Sequence, residues 1–154
     1  MRQLAALACV LISAGCTPGA TRAVIAQSAA SSVVTIDVNL TLDSPSSTPQ
    51  GSAGGYRPVT TTVSVGTSIR FMNSDSFAHT ETSLGTATTF PAASPFSSLA
   101  LQQYGSVLSQ DWSSGILQPG ASSQTIVADK PGTYLYGCFF HYGSPMRAAA
   151  IVVQ

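Results

Sequence analysis

From Val34 to Leu42 the chain alternates strictly: Val34, Ile36, Val38, Leu40 and Leu42 are apolar, and Thr35, Asp37, Asn39 and Thr41 between them are polar. A side-chain period of two suits a strand with one face on a core and the other in water, and it cannot suit a helix. The same reading applies to Val63 and Val65, then a Gly66-Thr67 turn, then Ile69 and Phe71. Gln124 to Ala128, Thr133 to Cys138 and Arg147 to Val153 are three further strand candidates, with Asp129-Lys130-Pro131-Gly132 as turn chemistry after the first. Ser44 to Gly55 carries Pro45, Pro49 and three Gly and reads as a surface loop. A single short helix is expected, with Ser94 as N-cap, Pro95 at its first position, Phe96, Leu99, Ala100 and Gln103 on one side, and Gly105 past its end. Many short strands between Gly and Pro turns indicate an all-β fold, a β-sandwich.

The first residues read as an address. Arg2 precedes an apolar run from Leu4 to Ala14, and Ile12-Ser13-Ala14-Gly15-Cys16 follows the pattern of a small-residue junction. The expected division is an export signal at 1–15, a tether rich in Ala, Ser and Thr at 16–32, and one domain at 33–154. Cys16 after Ala-Gly resembles a bacterial lipobox, in which Cys16 becomes the lipidated first residue, although Ser13 stands where Leu is commonest. Cleavage after Ala26 is the competing reading, since Val24-Ile25-Ala26 also fits the small-residue rule. Either way the chain is exported, to the periplasm or another extracytoplasmic space. Membrane contact is expected only through that lipid, because no apolar stretch reaches the roughly 20 residues of a transmembrane helix.

Export simplifies the cysteines. Cys9 leaves with the leader and Cys16 is acylated or removed, so Cys138 is the one mature thiol. It has no internal partner for a disulfide and is either a buried small hydrophobe or a thiolate held by a metal. Its surroundings favour the metal. The run Tyr134-Leu-Tyr-Gly-Cys138-Phe-Phe-His141-Tyr-Gly-Ser-Pro-Met146-Arg147 sets a Cys, a His three residues on and a Met five beyond that between two strand candidates. Thiolate and thioether are soft ligands and imidazole is intermediate, a set suited to copper. The chain holds two His in all, so the second imidazole has one source, His79, just past a strand in Phe71-Met-Asn73-Ser-Asp75-Ser-Phe-Ala-His79-Thr80. A zinc site on the same Cys and His residues is a second possibility, with Asp75 and Glu81 nearby but expected in solvent. A cysteine hydrolase, with Cys138 as nucleophile and His141 as base, lacks any visible orienting group.

These residues carry a resemblance. The chain from Val33 to Gln154 is similar to the cupredoxins of the plastocyanin and pseudoazurin type. The likeness includes the Cys138-His141-Met146 loop, Phe71-x-Asn73-x-Asp75 before the first His, Asp111-Trp-Ser-Ser-Gly115-Ile-Leu-Gln-Pro119-Gly120, and Lys130-Pro-Gly132-Thr-Tyr134-x-Tyr136-x-Cys138. It implies a Greek-key sandwich with one type 1 copper ion on His79, Cys138, His141 and an axial Met146, and one-electron transfer rather than enzymatic catalysis. Three departures stand out. Thr80 replaces the Asn that often follows the first His and ties the copper loops together, Gly137 replaces the Tyr of photosynthetic plastocyanins, and the segment 84–110 is longer than in small plastocyanins.

The resemblance also implies that His141 presents its ring edge at the surface, with Phe140, Tyr142 and Pro145 as an apolar electron-exit patch. Phe77, Phe139, Phe140 and Tyr142 are expected to supply part of the apolar shell of the copper. Trp112 is expected in the core or at a loop end. Only 8% of residues are charged, and the six Lys+Arg balance the six Asp+Glu. Without a basic run, nucleic acid is not an expected partner. Long-range steering is weak, and the expected partners are redox proteins docking transiently on a monomer. The rival function is a copper-binding protein for delivery or buffering. A multicopper oxidase or copper nitrite reductase would demand more His than the chain has.

Overall fold

The computed structural model describes residues 32–41 and 44–154. Twelve short strands follow one another: β1 (Val33–Val38), β2 (Ser46–Thr48), β3 (Gly51–Ala53), β4 (Tyr56–Arg57), β5 (Thr60–Ser64), β6 (Ser68–Asn73), β7 (Thr82–Ser83), β8 (Gln103–Tyr104), β9 (Ser113–Ser114), β10 (Ile126–Val127), β11 (Gly132–Gly137) and β12 (Arg147–Val153). They form one sheet in the order β10-β6-β1-β4, a second in the order β5-β12-β11-β7-β9-β8, and a separate β2-β3 hairpin. Sequence-distant strands are neighbours in both larger sheets, and two pairs are parallel: β1 with β6, and β12 with β5. The fold is an all-β sandwich.

Alternation explains the layers. Along β6, Ile69, Phe71 and Asn73 are buried while Arg70 and Met72 are exposed. Ile36, Val38, Ile69, Phe71 and Ile126 from the first sheet meet Val63, Tyr136, Ala148, Ala150 and Val152 from the second, with Tyr56 and Trp112 between. Burying each large side chain contributes about 2 kcal/mol. Aromatic contacts join these layers: Phe71 stacks on Trp112 at 5.6 Å between ring centroids and meets Tyr136 edge-on at 5.1 Å. Strand β12 is buried on both faces. Its small Ala149 leaves room for Ala53, Phe90 and Leu135 in a second apolar cluster on the outer side.

Four expectations are corrected. The first strand stops at Val38, Leu40 lies in a turn, and Leu42 falls outside the described residues. Ser44 to Gly55 is a β-hairpin rather than a surface loop, and its end from Ala53 to Gly55 is buried. Of the helix from Ser94, only a 3-10 turn at Ser98–Leu101 forms, capped by Ser97, whose hydroxyl accepts from Leu99 N at 3.3 Å. Ala100 is its one buried residue, too little apolar face to hold a longer helix. The stretch from Gln124 to Ala128 forms a strand only at Ile126–Val127; Ala128 bonds to the turn at Gly66 and Thr67, and the Gln124 side chain donates to Ser113 O at 2.9 Å.

Candidate metal centre

The first ligand segment leaves β6 at Asn73, whose side chain sets the turn. Its amide donates to the carbonyls of Phe77 and Leu117, both at 2.9 Å, and its oxygen accepts from Asp75 N at 2.9 Å. His79 then pairs with Leu117 through two backbone bonds of 3.1 and 2.8 Å, which fixes a fully buried side chain. The second segment leaves β11 at Gly137 and turns back into β12 over the nine residues 138–146. Cys138 N donates to Met146 O at 3.1 Å, and the His141 carbonyl accepts from Ser144 N at 2.9 Å and Met146 N at 3.2 Å. Gly137 fits a tight place here: a Cβ would lie 3.0 Å from both Met146 O and the Tyr142 ring.

These segments bring three donors together. Cys138 Sγ lies 3.7 Å from His79 Nδ1 and 3.6 Å from His141 Nδ1, and the two Nδ1 atoms are 3.1 Å apart. A point equidistant from all three lies about 2.0 Å from each, the length of a first-row metal–nitrogen bond. One thiolate and two imidazoles in this triangle fit a type 1 copper site. Met146 is fully buried in the same apolar cluster as Cys138. Gly55 backs it closely, for a Cβ there would come within 2.5 Å of Met146 Cγ, at a φ of +74°.

Two polar contacts tie the segments. Thr80 N donates to Cys138 Sγ at 3.4 Å, and Thr80 Oγ1 accepts from Phe139 N at 2.9 Å, so the hydroxyl bridges the loops. Burial pushes the Cys138 thiol up, against the Thr80 N–H, and a bound metal ion would drive it to thiolate. Burial lowers both histidines, with an Asp75 hydrogen bond opposing this at His79.

The two nearby carboxylates are not in solvent. Asp75 Oδ2 lies 3.1 Å from His79 Nε2, on the ring edge away from the donor triangle, and Asp75 does not join the cluster. Glu81 is fully buried with no hydrogen-bond partner on either carboxylate oxygen, and burial pushes it up to about 8. Neither supplies a fourth zinc ligand.

Of the residues expected around His141 at the surface, one is turned inward. Phe140 is 44% exposed beside a half-buried His141, and Pro145 is half-buried, but Tyr142 is 1% exposed and faces inward. Its hydroxyl donates to Pro91 O at 3.0 Å, and the Arg147 guanidinium lies over its ring at 4.5 Å. Phe77, 41% exposed, takes the surface place, with its ring 5.6 Å from His79 and 5.7 Å from His141. The Asp75 contact was foreshadowed only by the four-residue spacing to His79; the Gly55 and Pro91 contacts had no local sequence signal.

The sequence matches no family model and no curated protein. Solved structures of similar arrangement include a purple cupredoxin from Nitrosopumilus maritimus, 19% identical over 77% of this chain and 98% of that one, with a TM-score of 0.49. Auracyanin from Roseiflexus castenholzii is 19% identical over 82% and 99%, with a TM-score of 0.49. Plastocyanin from Dryopteris crassirhizoma is 19% identical over 78% and 100%, with a TM-score of 0.46. To these proteins the chain is similar in overall arrangement, while its copper-type donor set stands on Cys138, His79 and His141 themselves.

Proposed function

We propose that this chain is a cupredoxin-type electron carrier in which His79, Cys138 and His141 would hold one copper ion, with the buried Met146 as a candidate weak thioether donor. The observation that carries this reading is the triangle of one sulfur and two Nδ1 atoms, preassembled between two strand-anchored segments. Copper bound there supplies a one-electron couple. The protein's part is to hold the donors still. Asn73 and Thr80 fix the first segment, the short turn 138–146 fixes the second, and the buried aromatic core behind Cys138 keeps water out. Such a frame limits rearrangement between oxidation states. The half-buried His141, between Phe77 and Phe140, is the exit for the electron. An apolar rim with little net charge suits brief docking with redox partners. The composition of residues 1–16 supports export and lipidation at Cys16 as part of the same reading.

The test is the visible spectrum of Cu(II)-loaded protein beside Cys138→Ser. We expect an intense blue sulfur-to-copper band in the parent and its complete loss in the variant. A pale parent spectrum unchanged by the substitution overturns the reading. Transfer of Cu(I) to an apo acceptor, faster than electron exchange, would favour copper delivery instead.

A further inference from the structure

We infer that Asp75 is a positioning residue for the copper couple: its carboxylate fixes the tautomer and orientation of His79 and biases the site toward Cu(II). The inference rests on the copper reading above and adds the group that tunes it. Asp75 is 7% exposed, and its two oxygens face three nitrogens: Leu40 N at 2.9 Å, Ser76 N at 2.7 Å and His79 Nε2 at 3.1 Å. Two of these are backbone N–H donors, so the carboxylate is an acceptor on all sides. The His79 proton therefore sits on Nε2, and the lone pair on Nδ1 points into the donor triangle.

Asp75 is itself held. Its N–H donates to Asn73 Oδ1 at 2.9 Å, and the bond from Leu40 N pins it to the chain just after β1. His79 thus has one ring edge committed to a buried anion and the other to the metal position. An anion hydrogen-bonded to the far nitrogen of a ligand imidazole strengthens the near nitrogen as a donor. The more highly charged metal state gains most from both that donation and the nearby negative charge. His141 has no such partner among the described residues. The asymmetry places the tuning on the buried histidine and leaves the rim histidine free for electron exit.

The experiment pairs Asp75→Asn with Asp75→Ala in copper-loaded protein and adds nitrogen NMR of the metal-free parent. Asn keeps an oxygen acceptor for His79 and removes the charge; Ala removes both. In the parent we expect the His79 proton on Nε2. In Asp75→Asn we expect the blue band retained and the preference for Cu(I) over Cu(II) raised about tenfold, a rise of about 59 mV for a one-electron couple. Asp75→Ala should in addition alter the band through a misplaced ring. A His79 proton on Nδ1 in the parent, or an Asp75→Asn potential equal to the parent's with the blue band intact, overturns the inference while leaving the copper reading standing. A parent without a blue band overturns the copper reading itself, a different failure. Should Asp75→Asn not fold, the parent tautomer alone decides.

Discussion

The two ligand-bearing segments are held by different means. Residues 73–80 are fixed by side chains: Asn73 on the Phe77 carbonyl and Asp75 on His79 within the segment, and Asn73 on Leu117, Asp75 on Leu40 and Thr80 on Phe139 across to other parts of the chain. Residues 138–146 are fixed mostly by their own backbone, through three bonds linking Cys138, His141, Ser144 and Met146. Outside support for the second segment comes from Thr80, bonded to Cys138 and Phe139, and from the Pro91 carbonyl, which accepts from Tyr142 Oη at 3.0 Å and Arg147 Nη1 at 3.2 Å. The first segment buries its histidine completely, and the second leaves its own at the rim. One side of the site is a fixed wall and the other a turn that can face a partner.

The wall should be the costlier to break. Asn73→Ala strands the Phe77 carbonyl and the Asp75 N–H and leaves the Leu117 carbonyl with His79 N alone, and each buried orphan costs about 1–3 kcal/mol. We expect a loss of about 3 kcal/mol in urea unfolding of the metal-free protein, together with weaker copper binding. If stability holds and only copper binding falls, the wall is a local device and not part of the fold's frame. Tyr142→Phe removes one hydrogen bond from the turn and should cost about 1 kcal/mol. Its clearer effect should be kinetic, a several-fold faster loss of copper to a chelator, because Pro91 then steadies the turn through Arg147 alone. Copper release at the parent rate would show that the turn needs no outside support.

The smallest effect belongs to a carboxylate remote from both segments. Partial burial pushes the Asp129 carboxyl up, and hydrogen bonds from Ser109 N and Oγ more than reverse this, so it is held below its ordinary value. A lowered acid adds stability that is present above its unfolded value and is lost as pH falls through the folded one. Asp129→Asn should therefore cost about 0.5 kcal/mol at neutral pH after solvent screening, and less at an acidic pH below the ordinary carboxylate value. Denaturant midpoints at the two pH values, with the blue band unchanged, would mark this as fold chemistry without bearing on the metal.

Much of the sandwich could be read in advance. Period two in Val34–Val38 and Ser68–Asn73 leaves little choice, and the ligands were legible because donors are so scarce that His79 had no rival. What escaped was long-range. Gly54 and Gly55 look like loop residues, yet the hairpin end is buried and Gly55 is small because Met146 sits against it. Asp75 and Glu81 look solvated because most carboxylates are; the four-residue spacing to His79 is the one local hint for Asp75, and nothing local signals the closed surroundings of Glu81. Tyr142 looked like a rim residue because its anchor, Pro91, lies 51 positions away. The helix from Ser94 had its caps but no apolar face to bury.

The register of β1 gives the sandwich a direction. Val33 pairs with Ser68 and Val38 with Asn73, so the strand runs toward the histidines, about 17 Å over its length. β12 runs back from Arg147, beside the metal position, to Val153. Whatever is joined to the domain ahead of Val33 thus attaches at the end of the strand opposite the histidines, and leaves the donor triangle facing away from it.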